Sequence, residues 1–395
     1  MRNTRIYAID IIRALTMSLM IFVNDIPGIK NIPQWLNHMP AGVDGLGLAD
    51  IVFPLFLFIV GLSIPYAIEN RLKKGQDKIQ VGVHILVRTF ALLVIGVFMV
   101  NVGSLNEELT GLNKNLWALL SYVCIFMVWN KYPEKKSEYA RIFKVLRYIG
   151  IGGLVWLAVI YRSGTVEVPE FMQVRWWGIL GLIGWAYFTG AVVNLMVRDN
   201  LKVMTMVFIC FLVYHVLYSL NIEGWSTFQV YSLLPGKGAF SAMVIAGVWT
   251  SLIMRRYMAT ENLRKMFVTW LGAGLLFLIL GFITRSLWGI SKNDATPSWI
   301  YICLAIGLVV FTFIFWLVDV KKRKNWAHVL EPAGNNTLTT YLIPNLVYYS
   351  IWYCGVSYPD WLNQGVAGLF RSIVFVYVIL VVSGLLTRFH VRLKL

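Results

Sequence analysis

The sequence predicts an all-α, polytopic transmembrane helical bundle of about twelve spans, ten at the lower bound, with the N- and C-termini cytoplasmic. Three observations predict it. Hydrophobic residues make up 58% of the 395-residue chain and charged residues only 14%, whereas a soluble protein carries about a quarter of its residues charged. The mean hydropathy of +0.68 comes from long apolar blocks, each near the roughly 20 residues that cross the hydrocarbon core as a helix. The basic excess, net +16, lies between those blocks. There it reads as a topology signal and excludes the nucleic-acid footprint that such a charge suggests in a soluble chain. Every polar loop is short, so residues 1–395 read as one transmembrane domain.

The blocks fall at about 7–26, 50–70, 84–101, 115–131, 147–162, 176–197, 201–220, 238–256, 266–287, 299–319, 335–354 and 367–388. The fourth and fifth are short and also read as tilted or re-entrant segments, which gives the lower counts. With the N-terminus inside, Arg2 and Arg5, the cluster from Arg71 to Lys78, and the cluster from Lys131 to Arg147 (Lys135 and Lys136 among it) all face the cytoplasm. So do Arg198 and Lys202, the run from Arg255 to Lys265, Lys321 to Lys324, and Arg388 to Lys394. The opposite loops carry isolated basic residues such as Lys30, Lys237 and Lys292, and are aromatic and polar, as in NIEGWSTFQVYSLLP (221–235). This bias fits an even number of spans. The first span starts without a small-residue cleavage site, so no secretory signal is expected. Cys124, Cys210, Cys303 and Cys354 are scattered through apolar runs, which makes neither a disulfide framework nor a metal-binding spacing.

Ionisable side chains inside spans are costly and mark candidate sites. Asp10 and Arg13, at i, i+3, share one helix face. They read equally as a structural ion pair and as ligand-binding groups. Arg88, early in the third span, reads as snorkelling to the inner surface. Asn24 ends the first span. Asp50 opens the second, where it can cap the helix and favour its positive end, and Pro54 follows one turn later.

His38 lies in the loop NIPQWLNHMPAGVDGLGLAD (31–50), placed outside by the charge pattern. Histidine exchanges a proton near neutral pH, so a catalytic reading stands beside that of an inert interfacial residue. His215 sits at membrane depth, where interhelical hydrogen bonding is its default. His84, His328 and His390 read as interfacial. The segment EPAGNNTLTTYLIPN (331–345) places Asn335, Asn336 and Thr337 before an apolar helix. These residues can cap that helix or bind an anion such as phosphate at its N-terminus. The nearby Lys321–Lys324 cluster could attract a phosphorylated cofactor or serve topology alone.

These residues carry a resemblance. IYAIDIIRALTMSLMIFVN, a loop containing Asn-His, and then GLGLADIVFPLFLFIVGLSI resemble the start of the catalytic region of heparan-α-glucosaminide N-acetyltransferase and its bacterial relatives. The shared pattern is Asp10, Arg13, Asn24, His38 and Asp50 through Pro54. Gly334 to Thr337 resemble the family's late Gly-x-Asn-Ser helix start. The resemblance is specific over 6–66 and thinner over 331–345. It implies that acetyl-coenzyme A binds from the cytoplasm and that an acetyl group passes to a glucosamine amine on the other side. By this resemblance His38 is the catalytic residue, either as the base that deprotonates the acceptor amine or as a transient acetyl carrier. Asn24 and Asp50 would assist, by orienting the imidazole or stabilising an oxyanion. Asp10, Arg13, Arg88, Asn335 and Asn336 are the expected cofactor-binding residues.

The family's Arg-rich Pro-Gly-x-Leu-Gln-Arg stretch after the third span is absent; the region here reads ELTGLNKNLWALLSYV. The segment WWGILGLIGWAYFTG (176–190) looks more like a bacterial branch tied to amino-sugar use. The expected location is therefore the bacterial inner membrane, with the lipid bilayer and an amino sugar or glycan as partners. A homodimer is implied by the resemblance alone. The alternative is an N-acetylglucosamine or N-acetylmuramic acid permease, which needs a polar midplane site and discontinuous helices.

Overall fold

The computed structural model describes residues 6–132, 139–220 and 236–395. Arg2, Arg5, Lys135, Lys136 and the 221–235 loop lie outside them. In chain order the helices are α1 (Tyr7–Asp25), α2 (Leu48–Lys73), α3 (Lys78–Asn101), α4 (Glu107–Thr110), α5 (Lys114–Trp129), α6 (Ala140–Ile160) and α7 (Gly178–Val197). Then come α8 (Leu201–Ser219), α9 (Ala239–Ala259), α10 (Leu263–Trp288), α11 (Pro297–Phe315), α12 (Glu331–Asn335), α13 (Thr337–Tyr353) and α14 (Gly365–Arg388). Every expected apolar block coincides with one of these helices. Among the described residues the strands are confined to a small ribbon, Ser163–Gly164 against Pro169–Glu170.

Among the described residues, eight helices are long and apolar enough to cross a membrane: α2, α3, α6, α7, α8, α10, α11 with its extension to Val320, and α14. The other expected spans, α1, α5, α9 and α13, are helices outside that set. The fifth block was expected to be short, yet α6 has 21 residues. Its first two turns carry Arg141, Lys144 and Arg147, so the helix starts before the apolar run does.

The helix ends show why these segments stop and start where they do. Asp77 caps α3, accepting from Gln80 N at 2.7 Å while the Gln80 side chain accepts from Asp77 N at 3.2 Å, so the first turn satisfies its own free N–H groups. No side-chain cap is supplied at the N-cap of α1, Ile6. Its first N–H groups are taken instead by Asp319, which accepts from Tyr7 N at 3.2 Å and Ala8 N at 2.8 Å. Asp319 sits in the π-helical turn Trp316–Val320 that continues α11. Helix α2 runs through both Pro54 and Pro65, which a membrane bundle tolerates when neighbours satisfy the freed carbonyls.

Small residues let the central helices meet at the backbone. A Cβ on Gly61 of α2 would stand 2.0 Å from the Val244 carbonyl oxygen, and one on Gly247 of α9 would stand 2.0 Å from that of Phe58. This is the close packing that drives helix association in lipid, where apolar burial contributes little. Helices α6, α8 and α14 leave most of their apolar surface exposed, as lipid-facing helices do.

Loop hydrogen bonds tie the connections into two ends. At one end Lys30 pairs with Asn363 and Gly365, Gly45 N donates to Ile290 O, and Asn106 N donates to Arg162 O. At the other, Lys131 N donates to Arg392 O and Lys394 N to Trp129 O, and Arg392 Nη2 donates to Asn335 O. The start of α1 and the C-terminal tail share this second, basic end.

Candidate active site

The 31–47 loop is built onto the start of α2. Gly47 precedes the helix because nothing larger fits: a Cβ there would stand 1.9 Å from the Asn37 carbonyl oxygen. Asp50, three residues on, accepts from Gly47 N at 3.0 Å and Met39 N at 3.1 Å through Oδ2. Its Oδ1 lies 2.7 Å from His38 Nδ1. The expected helix cap and the expected partner of His38 are thus one carboxylate. A carboxylate only accepts, so Nδ1 carries a proton, which in the neutral imidazole leaves the lone pair on Nε2. Asp50 is 4% exposed and His38 44% exposed, which places a buried orienting group behind a reachable base.

Lys292, from the α10–α11 connection, brings Nζ against the imidazole, 3.2 Å from His38 Nδ1 and 3.4 Å from Nε2. Sequence reasoning counted it only as an isolated outer cation. Burial holds its ammonium below the ordinary lysine range. The same connection is clamped to the loop by Asp44, which accepts from Arg285 Nε at 2.9 Å and Ile290 N at 2.7 Å. The Ile290 and Arg285 hydrogen bonds hold the Asp44 carboxyl below its ordinary value.

At the opposite, basic end, two adjoining cavities of about 610 and 340 Å³ form one cleft. All five expected cofactor residues line it: Asp10 and Arg13 in the larger half, Asn336 in the smaller, and Arg88 and Asn335 in both. Arg13 pairs with Asp10 at 3.2 Å and donates to Ser63 Oγ at 2.6 Å, which ties α1 to α2. Arg88 lines both halves of the cleft. Its guanidinium lies 4.7 Å from the centre of the Tyr187 ring, inside the cleft. Asn336 stands at the start of α13 without capping it; its amide donates to Thr387 of α14. The smaller half is cationic, with Arg71, Arg88, Lys131, Arg392 and Lys394, and no carboxylate side chain lines it among the described residues. Burial first, and then the neighbouring cations Lys131, Arg71 and Arg392, hold Lys394 below the usual lysine range. His84, read from sequence as interfacial, belongs here too, 2.7 Å from Arg71 Nη2.

A third cavity, of about 660 Å³, opens at the end that carries the 31–47 loop. Asn24 lines this cavity and makes no hydrogen bond to His38 among the described residues, whereas Asp50 contacts the imidazole. Beside it, Asp25 accepts from Tyr348 Oη at 2.7 Å and from Arg371 Nη2 at 3.1 Å, and from the Ser372 hydroxyl. This network went unnoticed in the sequence, although an arginine inside the last apolar block was its signal. His38 lines none of these three cavities. Tyr341 lines both the small half of the inner cleft and the outer cavity.

The chain is similar to known proteins over part of its length. The family described as "Domain of unknown function (DUF5009)" matches residues 5–240, more than half of the chain. The chain is similar to heparan-alpha-glucosaminide N-acetyltransferase of Mus musculus, 30% identical over 165 residues, which is 40% of this chain and 24% of that protein. Against the protein of the same name from Homo sapiens it is 35% identical over 97 residues, 25% of this chain and 14% of that one. The aligned part therefore spans a quarter or less of these relatives. Together with the apolar helices, the similarity makes the chain a multi-pass membrane protein related to an N-acetyltransferase. Matched from its first helix to the start of α9, the chain belongs to the DUF5009 family.

Proposed function

We propose that the protein is a transmembrane acetyltransferase that moves an acetyl group from acetyl-coenzyme A to the amine of glucosamine or a related amino sugar or glycan. One observation carries this reading. A single stripe of α1 lines the three cavities in succession: Asp10 and Arg13 the wide inner half, Met17 and Met20 the narrow basic half, Ile21 and Asn24 the outer cavity. At 1.5 Å per residue this stripe runs about 21 Å along the bundle. A donor held at one end and an acceptor at the other would meet along it.

The cleft suits such a donor. Its cationic half would hold the phosphates of the coenzyme. Its apolar side, with Met17, Met20, Phe56 and Leu92, would carry the uncharged arm toward Tyr341. In the reaction the amine nitrogen attacks the thioester carbonyl carbon. The new C–N bond forms, the C–S bond breaks, and the thiolate leaves. The proton lost by the amine goes to His38 Nε2, whose basicity and tautomer Asp50 sets. Because His38 stands outside the cavities and Asp50 holds it there, catalysis on this reading needs the acceptor amine to reach the imidazole at the 31–47 loop.

We read residues 1–395 as one domain of twelve spans in the bacterial inner membrane, with the basic end cytoplasmic. The positive-inside bias supports this orientation. Purified protein supplied with radiolabelled acetyl-coenzyme A and glucosamine should form N-acetylglucosamine, and His38→Ala should abolish it. No product from the wild type overturns the reading. The cavities that meet at Tyr341 would also suit an amino-sugar permease. Sugar uptake by proteoliposomes that lack acetyl-coenzyme A would favour that function instead.

A further inference from the structure

The outer cavity has a chemistry distinct from the inner cleft. Its charged lining residues among the described residues are Asp25 and Arg371, which neutralise each other. Their side chains are 4% and 13% exposed, so the pair forms a floor that is already satisfied. This floor repels neither sign strongly and selects neither, so it offers no charge to attract the phosphorylated ligands suited to the basic cleft.

Aromatic rings and side-chain amides face the cavity among aliphatic residues such as Ile21, Ile179 and Ile351. Trp352 stacks on Tyr348 with ring centres 5.7 Å apart and planes 19° from parallel. Arg371 lies 4.6 Å from the centre of the Tyr358 ring, fixing that ring in place. Trp352 remains 54% exposed. Asn24 and Asn345 also line the space, and among the described residues their side chains have no hydrogen-bond partner. Each amide offers two donors and an acceptor. An exposed ring beside amides that are open to a ligand matches one with an apolar C–H face and a rim of hydroxyls. The volume, about 660 Å³, lies within the roughly 300–1,000 Å³ of small-molecule clefts.

We propose that this cavity is a pyranose-binding site, in which the sugar ring stacks against Trp352 and its hydroxyls pair with Asn24 and Asn345. The sugar binds as a neutral ring, so an amino sugar enters as the free base, the form whose nitrogen has a lone pair. That this sugar is the acetyl acceptor rests on the transferase reading; the binding site itself does not.

Titration calorimetry on the full chain in lipid nanodiscs tests the site, with glucosamine and N-acetylglucosamine as probes and no coenzyme present. Saturable binding is expected. Asn24→Ala, Asn345→Ala and Trp352→Ala should each weaken it about tenfold, the scale of one lost polar or stacking contact. Neither Asn variant removes an existing hydrogen bond, so both should fold. A coenzyme A titration on the same samples separates the two claims. Coenzyme binding without any saturable sugar binding overturns the site and spares the transferase. Sugar binding without coenzyme binding does the reverse. Unchanged sugar affinity in all three variants also overturns the site.

Discussion

The Asp50 carboxylate holds His38 Nδ1 at 2.7 Å and the Met39 backbone N–H at 3.1 Å, so one side chain fixes both the imidazole and the loop that carries it. Asp50→Asn can turn an N–H toward Nδ1 and reverse the histidine tautomer. Acetyl transfer should then fall about 10³- to 10⁴-fold. Coenzyme A affinity, set at the other end of the bundle, should stay within about twofold. Steady-state transfer and equilibrium binding on the same variant check this; activity within tenfold of wild type would remove Asp50 from the mechanism.

The cationic half of the inner cleft makes a second prediction. Arg88→Ala and Lys131→Ala should each weaken coenzyme A binding about ten- to a hundredfold, the range for one charge-assisted hydrogen bond. Added salt should weaken the wild type as well. Equal dissociation constants for wild type and variants would move the coenzyme elsewhere.

Lys394 gives a pH dependence with a definite sign. Its ammonium is held below the ordinary 10.5, and a bound phosphate would favour the charged form and raise it again. Binding should therefore take up a proton between the two values, and coenzyme A affinity should fall as pH rises through that alkaline window. Calorimetry in two buffers of different ionisation enthalpy reads the uptake directly. Proton release on binding would contradict this assignment, and Lys394→Met should remove part of the uptake.

The α2–α9 contact predicts a contrast in stability. Gly61→Ala drives a methyl group into the Val244 carbonyl and should cost about 1–3 kcal/mol. Gly272→Ala on α10, where nothing lies within 4 Å of an added Cβ, should be neutral or slightly stabilising. Melting temperatures in one detergent compare them; equal values would show that the two backbones are not in contact.

Much of the bundle was legible because the bilayer enforces simple rules. Apolar runs and basic clusters placed a helix in every expected block. The short fifth block misled only because the α6 helix includes charged turns that hydropathy does not count. Asp50 was readable as a cap, since a first-turn acid needs only local geometry. The Asp25–Arg371 pair was not, because its partners lie 346 positions apart and only packing brings α1 against α14. The basic half of the cleft was hidden for a related reason. Arg71, Lys131 and Lys394 each look like topology charges in sequence, and only the folded C-terminal tail gathers them around one cavity. In sequence Arg88 had two readings, snorkelling and cofactor binding, and only the fold sets it beside the Tyr187 ring in the cleft.

The central claim is that an acetyl group crosses the bundle between a coenzyme cleft at one end and a sugar site at the other. Proteoliposomes with acetyl-coenzyme A supplied on one side and glucosamine trapped on the other test it most directly. The account predicts N-acetylglucosamine on the glucosamine side, only when the coenzyme faces the basic end, and none with His38→Ala. Product formed only when both substrates share one side, or sugar movement without any acetylation, would contradict it.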